Sequence, residues 1–176
     1  MSLLVFEDYD LITLSDALDI AEDVTSNFYK YSTGQWKKYP YEVKTLTSLS
    51  KEEISESVFA LLNKGSMIAE GFEQKKNNRD FYFICLQDHQ ILKALKRDKD
   101  LALLPLLTYI FTHELVHIVR FCNFLKSFDA SGKEKDKEEK IVHSTTFKIL
   151  EDLSLPRLDY ILDSYLDHRI CDIGTM

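Results

Sequence analysis

The stretch His113-Glu114-Leu115-Val116-His117 constrains this chain more than any other. It follows an apolar run, Leu101 to Phe111, interrupted only by Pro105 and Thr108, and it continues into Ile118-Val119. A run of this length is too short to span a bilayer. It reads as a buried helix that starts near Leu103 with Pro105 in its first turn. On a helix, residues i and i+4 lie one above the other on the same face. The two imidazoles are therefore spaced to grip one metal ion, with Glu114 leaning over a metal-bound water. A buried helix carrying two histidines and a glutamate must satisfy those polar groups. A metal ion does so. The alternative is bonding to backbone or carboxylates, with Glu114 paired to Arg120 or another cation.

The rest of the composition narrows the class. A chain of 176 residues, 45% hydrophobic with 5 Gly and 3 Pro, has core material for a single domain, expected to cover residues 1–176. A net charge of −7 argues against general nucleic-acid binding. Lys93, Lys96, Arg97 and Lys99 form a small basic cluster, but Asp98 and Asp100 interrupt it, so it reads as a solvated helix end. Cys85, Cys122 and Cys171 are widely spaced without a CxxC pair, so neither a disulfide framework nor a cysteine zinc site is expected. The first residues are acidic early and lack a basic region followed by an apolar one. No signal peptide, no membrane span and a cytoplasmic location are therefore expected.

Periodicity and turn chemistry place the other elements. Ser15 is a candidate N-cap for a helix to about Tyr31. Tyr41 to Leu49 reads as a strand. Ser50 and Glu53 form a capping box, predicting a helix to about Asn63 with Gly65 as its stop. Met67–Phe72 and Asp80–Leu86 read as a hairpin around a polar loop, and His89 to Arg97 as a short helix. Asp129 to Lys137 reads as a loop, Glu138 to Leu153 as a helix, and Pro156 to about Arg169 as the last helix. The expected fold class is α+β, a small antiparallel or mixed sheet packed on the helix of the HExxH motif and further helices.

Two histidines alone make a poor zinc site, because catalytic zinc has three protein ligands and an open position for water. Glu138, Glu139 and His143, on the helix after the charged loop, are the candidates. With Val142, Ile149 and Leu153 defining the buried stripe, the helical wheel does not choose between the two glutamates. Glu139 and His143 are an i,i+4 pair, so one of them binding metal leaves the other to support it.

HExxH followed by a glutamate on a later helix resembles the gluzincins, the thermolysin-like branch of the zincin metallopeptidases. The resemblance covers roughly Thr108 to Leu150. In that family the third ligand begins an ExxxD-like pair whose acidic member orients a ligand histidine. Glu139-Lys140-Ile141-Val142-His143 has that spacing, with His143 in place of the acidic member. The resemblance implies Glu139 as third ligand; a swapped assignment puts His143 on the metal, as in zincins whose third ligand is histidine. The segment also resembles the short intracellular ImmA/IrrE-type metallopeptidases, with Glu139, Val142, His143 and Phe147 in a loosely similar order. Arg120 and Asn123 stand where the metzincin extension requires Gly and His.

The expectation is a minimal zincin-like fold holding one Zn2+ per chain through His113, His117 and Glu139 or His143, with Glu114 as general base in peptide-bond hydrolysis. A peptide or protein substrate would align along a strand, for which Asp80–Leu86 is the candidate. Tyr160, Tyr165, His168 and Arg169 are candidate second electrophiles, though aromatic residues at helical spacing are usually core. Two other expectations compete: a catalytically silent zincin-fold binding or regulatory protein, and a metal-dependent amidohydrolase acting on a non-peptide substrate.

Overall fold

A computed structural model describes residues 2–32, 36, 40–66, 80–123, 132–165 and 171–173. Within them the chain is mixed α+β. The helices are α1 (Asp8–Tyr29), α2 (Asp88–Arg97), α3 (Leu103–Asn123), α4 (Lys133–Leu150) and α5 (Leu158–Tyr165). The strands are β1 (Tyr41–Lys44), β2 (Ala60–Ser66), β3 (Asp80–Leu86) and β4 (Cys171–Ile173). They form one sheet in the order β1-β3-β2-β4, in which β3 runs parallel to β1 and antiparallel to β2, and β2 runs parallel to β4.

The helix α3 is the axis of the fold. Every residue from Pro105 to Val119 is buried, as expected of a helix that is apolar on all sides. The long helix α1 lies against it. Its buried residues are Ala17, Ala21 and Thr25, spaced four apart; small side chains on that stripe let two helices approach closely. On another side the sheet packs through Tyr82, Ile84 and Leu62, all 1% exposed or less. The Tyr82 ring stacks on Phe121 of α3 at 6.2 Å and 14°. The helices α4 and α5 cover the remaining flank.

Several boundaries differ from the sequence expectations. The first helix begins at Asp8, where the Glu7 N–H donates to Asp10 Oδ2 at 3.0 Å; an acidic pair serves as the cap, and Ser15 lies inside the helix. It ends where Lys30 turns left-handed, at φ 58°. The first strand stops at Lys44 because the Leu46 N–H is drawn off to Asp88 Oδ1 at 3.0 Å, opening a 3-10 turn at Leu46–Ser48.

The Ser50–Glu53 capping box forms, with the Ser50 N–H donating to Glu53 Oε2 at 2.9 Å, yet it caps only the single 3-10 turn Lys51–Glu53. The helix expected to Asn63 is instead extended chain leading into β2, whose seven residues all pair with β3. Tertiary pairing has overridden a local signal. The strand β2 is therefore the antiparallel partner of β3, while the expected partner Met67–Phe72 and its loop lie outside the described residues. The charged run Lys133–Lys137, expected as loop, forms the first turns of α4. Its alternating signs put opposite charges three residues apart, Lys133 with Asp136 and Glu134 with Lys137, which supports a helix.

Candidate metal centre

The two histidines of α3 sit on one face with ring centroids 4.9 Å apart, as the i,i+4 spacing requires. His113 and Glu114 are fully buried and His117 is 1% exposed. Against this face α4 presents Glu139 and His143, also spaced i,i+4. The two helices are clamped where Arg120 donates through Nε and Nη2 to the two oxygens of Glu138. That bidentate pair takes Glu138 away from the histidines and leaves Glu139, the next residue, facing them.

The Glu139 carboxylate lies between the imidazoles. Its Oε1 is 3.0 Å from His113 Nε2 and 3.4 Å from His143 Nε2, and its Oε2 is 3.1 Å from His117 Nε2. The rings of His113 and His143 are 4.7 Å apart. Donor atoms of His113, Glu139 and His143 all fall within 4.8 Å of one another. His117 approaches the other carboxylate oxygen and stacks at 5.7 Å on Phe121. The structure thus brings Glu139 against all three histidines, while the donor atoms that lie mutually close belong to His113, Glu139 and His143 and not to His117.

Hydrogen bonding does not fully account for the cluster. Despite the 3.0 Å approach, His113 Nε2 and Glu139 Oε1 are not aligned for a hydrogen bond, and each is buried without such a partner. Leaving buried polar atoms unsatisfied costs about 1–3 kcal/mol each. Two donors bound to one tetrahedral ion at about 2.1 Å would stand about 3.4 Å apart, and the observed separations of 3.0–3.4 Å are close to that. The donor set therefore fits a divalent transition metal, with imidazole nitrogens and a carboxylate as zinc ligands.

The neighbours of the outer nitrogens also matter, because ligand histidines usually bond a carboxylate, carbonyl or hydroxyl through the second ring nitrogen. His113 Nδ1 lies 3.4 Å from Glu114 Oε1, and His143 Nδ1 lies 3.2 Å from the Tyr109 hydroxyl. Among the described residues, His117 Nδ1 has no such partner, and Glu114 Oε2 is likewise buried and unpartnered.

The charges are tuned by this packing. Burial opposes protonation of His113, but the adjacent Glu114 and Glu139 carboxylates outweigh it and push the imidazole up to about 9. Burial would raise Glu139, yet the close approach of the His113 and His117 imidazoles holds it far below the usual carboxylate range. His143 is pushed down to about 4, first by burial and then by the charge of His113.

Some expectations fail here. The strand Asp80–Leu86 is internal to the sheet, paired to β1 on one side and β2 on the other, so its backbone is not free to add a peptide. Tyr160 bonds Asp98 at 2.5 Å, and Tyr165 packs edge-on against Phe59 at 5.9 Å. Neither contact involves the histidine cluster. His168 and Arg169 lie outside the described residues. Of the alternative to metal, the histidines do face carboxylates, Glu114 and Glu139, while Arg120 bonds Glu138 and Glu114 faces His113 instead. Sequence reasoning missed Tyr109. It stands four residues before His113, so the same i,i+4 spacing that relates the histidines carried the signal.

No family model, curated protein or solved structure matches the chain. No helix among the described residues is long and apolar enough to cross a membrane.

Proposed function

We propose that this protein is a zinc-dependent hydrolase of minimal zincin-like design, acting on peptide bonds, with His113, His117 and Glu139 as metal ligands and Glu114 as general base. The supporting observation is the convergence of three imidazoles on one half-buried carboxylate, with His113 Nε2 and Glu139 Oε1 close together yet unpaired by hydrogen bonding among the described residues. A bound zinc ion supplies Lewis acidity and brings the pKa of a coordinated water near neutrality. Glu139 provides the negative charge that favours a divalent cation. His113 and His117 provide rigid nitrogen donors on a helix fixed on every side. Glu114, fully buried with Oε2 uncommitted, provides the proton acceptor. Glu139 and His143 are the more open members, with side chains 21% and 13% exposed, so substrate would approach from the α4 side.

The His143 side chain favours a second reading, a closed metal centre in a binding or regulatory protein without turnover. Its Nε2 is near enough to Glu139 to compete for the position that water needs. Peptide-library cleavage decides between them. Zinc-loaded protein should cleave, chelation should abolish cleavage, and Glu114→Gln should abolish it while keeping the metal. A zinc-loaded wild type that cleaves no peptide, and that Glu114→Gln leaves unchanged, would favour the closed centre.

A further inference from the structure

Three imidazoles face the Glu139 carboxylate, one more than a hydrolytic site with three protein ligands needs. The pairs His113/His117 on α3 and Glu139/His143 on α4 are both spaced i,i+4, so each helix offers two donors on one face. His143 is not loosely attached: Nδ1 lies 3.2 Å from the Tyr109 hydroxyl, while Nε2 faces Glu139 Oε1 at 3.4 Å. Tyr109 is itself held, 2% exposed and with its ring 6.4 Å from that of His113 at 24°. When the Tyr109 hydroxyl accepts from Nδ1–H, the lone pair of His143 rests on Nε2 and points into the cluster. In that arrangement Tyr109 on α3 fixes the tautomer and orientation of a ring on α4.

We infer that His143 is a fourth protein ligand of the resting metal centre, positioned by Tyr109, so that the centre is latent until His143 leaves. This rests on the zinc-hydrolase reading and adds regulation to it. A zinc site with four protein ligands has no open position and is inert toward water, whereas one with three is poised for hydrolysis. His143 is the natural one to leave, because it is more exposed than either histidine of α3 and lies at the open side of the cluster.

The test uses the full chain loaded with cobalt(II) in place of zinc. Visible absorption reports coordination, azide probes for an open position, and competition with a chelator gives affinity. Wild type is compared with His143→Ala, His143→Gln and Tyr109→Phe, each checked for fold by circular dichroism. The wild-type spectrum should resist azide. His143→Ala should take up azide at concentrations at least about tenfold lower, as a three-ligand centre with an open position would. Tyr109→Phe removes only a hydroxyl and keeps the ring, and it should weaken metal affinity about 10–100-fold, as loss of an outer-shell partner does. A merely structural Tyr109 would leave affinity and spectrum unchanged. If wild type binds cobalt but azide titrates it as readily as His143→Ala, and Tyr109→Phe binds as tightly, the fourth-ligand assignment falls while the metal centre stands. If wild type binds neither cobalt nor zinc, both fall.

Discussion

His113 Nε2 on α3 and Glu139 Oε1 on α4 stand 3.0 Å apart, buried and without a hydrogen bond between them. A cation bound between the two atoms would satisfy both. The packing of α4 on α3 sets that approach, so a metal held there would also stabilise the fold.

Zinc should stabilise the fold. A ligand that binds only the native state at a hundred times its Kd adds about 2.7 kcal/mol. For a chain of this size that corresponds to a Tm rise of about 5–10 °C. Thermal unfolding followed by circular dichroism, with and without zinc, should show the rise in wild type and none in His113→Ala or Glu139→Ala.

Glu114→Gln should separate binding from chemistry. Among the described residues Glu114 faces the outer nitrogen of His113, at 3.4 Å. Its replacement should leave zinc content at the wild-type level and lower peptide turnover by about 100-fold or more, the usual share of a general base. Turnover equal to wild type would remove Glu114 from the mechanism.

Arg120→Ala should loosen the α3–α4 clamp. The Arg120 and Glu138 side chains are only 13% and 12% exposed, and two hydrogen bonds join them. Charge-assisted bonds in such a setting contribute about 1.5–3 kcal/mol. Urea unfolding should show a loss of that size, together with weaker zinc binding because Glu139 loses its registered neighbour. Arg120→Lys should restore only part of it, since the planar fork is lost.

Gln87→Ala should destabilise without touching the metal. Fully buried Gln87 donates through Nε2 to the carbonyls of Glu53 and Cys85 at 2.9 and 3.2 Å, and its Oε1 accepts from the Ser55 N–H at 2.8 Å. Leaving these groups unpaired should cost about 2–3 kcal/mol in urea unfolding, with zinc stoichiometry unchanged.

Glu53 makes part of the stability pH-dependent. Burial would raise its carboxyl, but the Ser50 N–H and the Lys44 ammonium at 3.3 Å outweigh burial and hold it below its ordinary value of 4.5. A depressed carboxylate contributes stability above its unfolded pKa and loses it as pH falls through the folded one. Glu53→Gln should therefore lower the unfolding midpoint at neutral pH, and the gap to wild type should close below pH 4.5. A gap constant with pH would contradict this.

The parts of the molecule legible in sequence are those where one local rule sufficed. The i,i+4 histidines on a long apolar run specified α3, its start near Leu103 and its burial. The wheel left Glu138 and Glu139 undecided because both flank the Val142 stripe. The structure separates them through Arg120, a long-range partner on another helix that no local spacing reveals. The capping box at Ser50 misled because three residues of 3-10 turn satisfy it as fully as a long helix would. Only the pairing of Ala60–Ser66 with Asp80–Leu86 makes the chain beyond that turn a strand rather than a helix. The internal position of β3 depends on β1 pairing to it in parallel from a distance, which alternation within one strand does not encode.

The most direct test of the metal centre is zinc content by elemental mass spectrometry, on purified wild type beside His113→Ala, Glu139→Ala and His143→Ala. Wild type should carry about one zinc per chain, His113→Ala and Glu139→Ala none, and His143→Ala a weakly held ion. A wild type that carries no zinc and takes up none when it is supplied would contradict it.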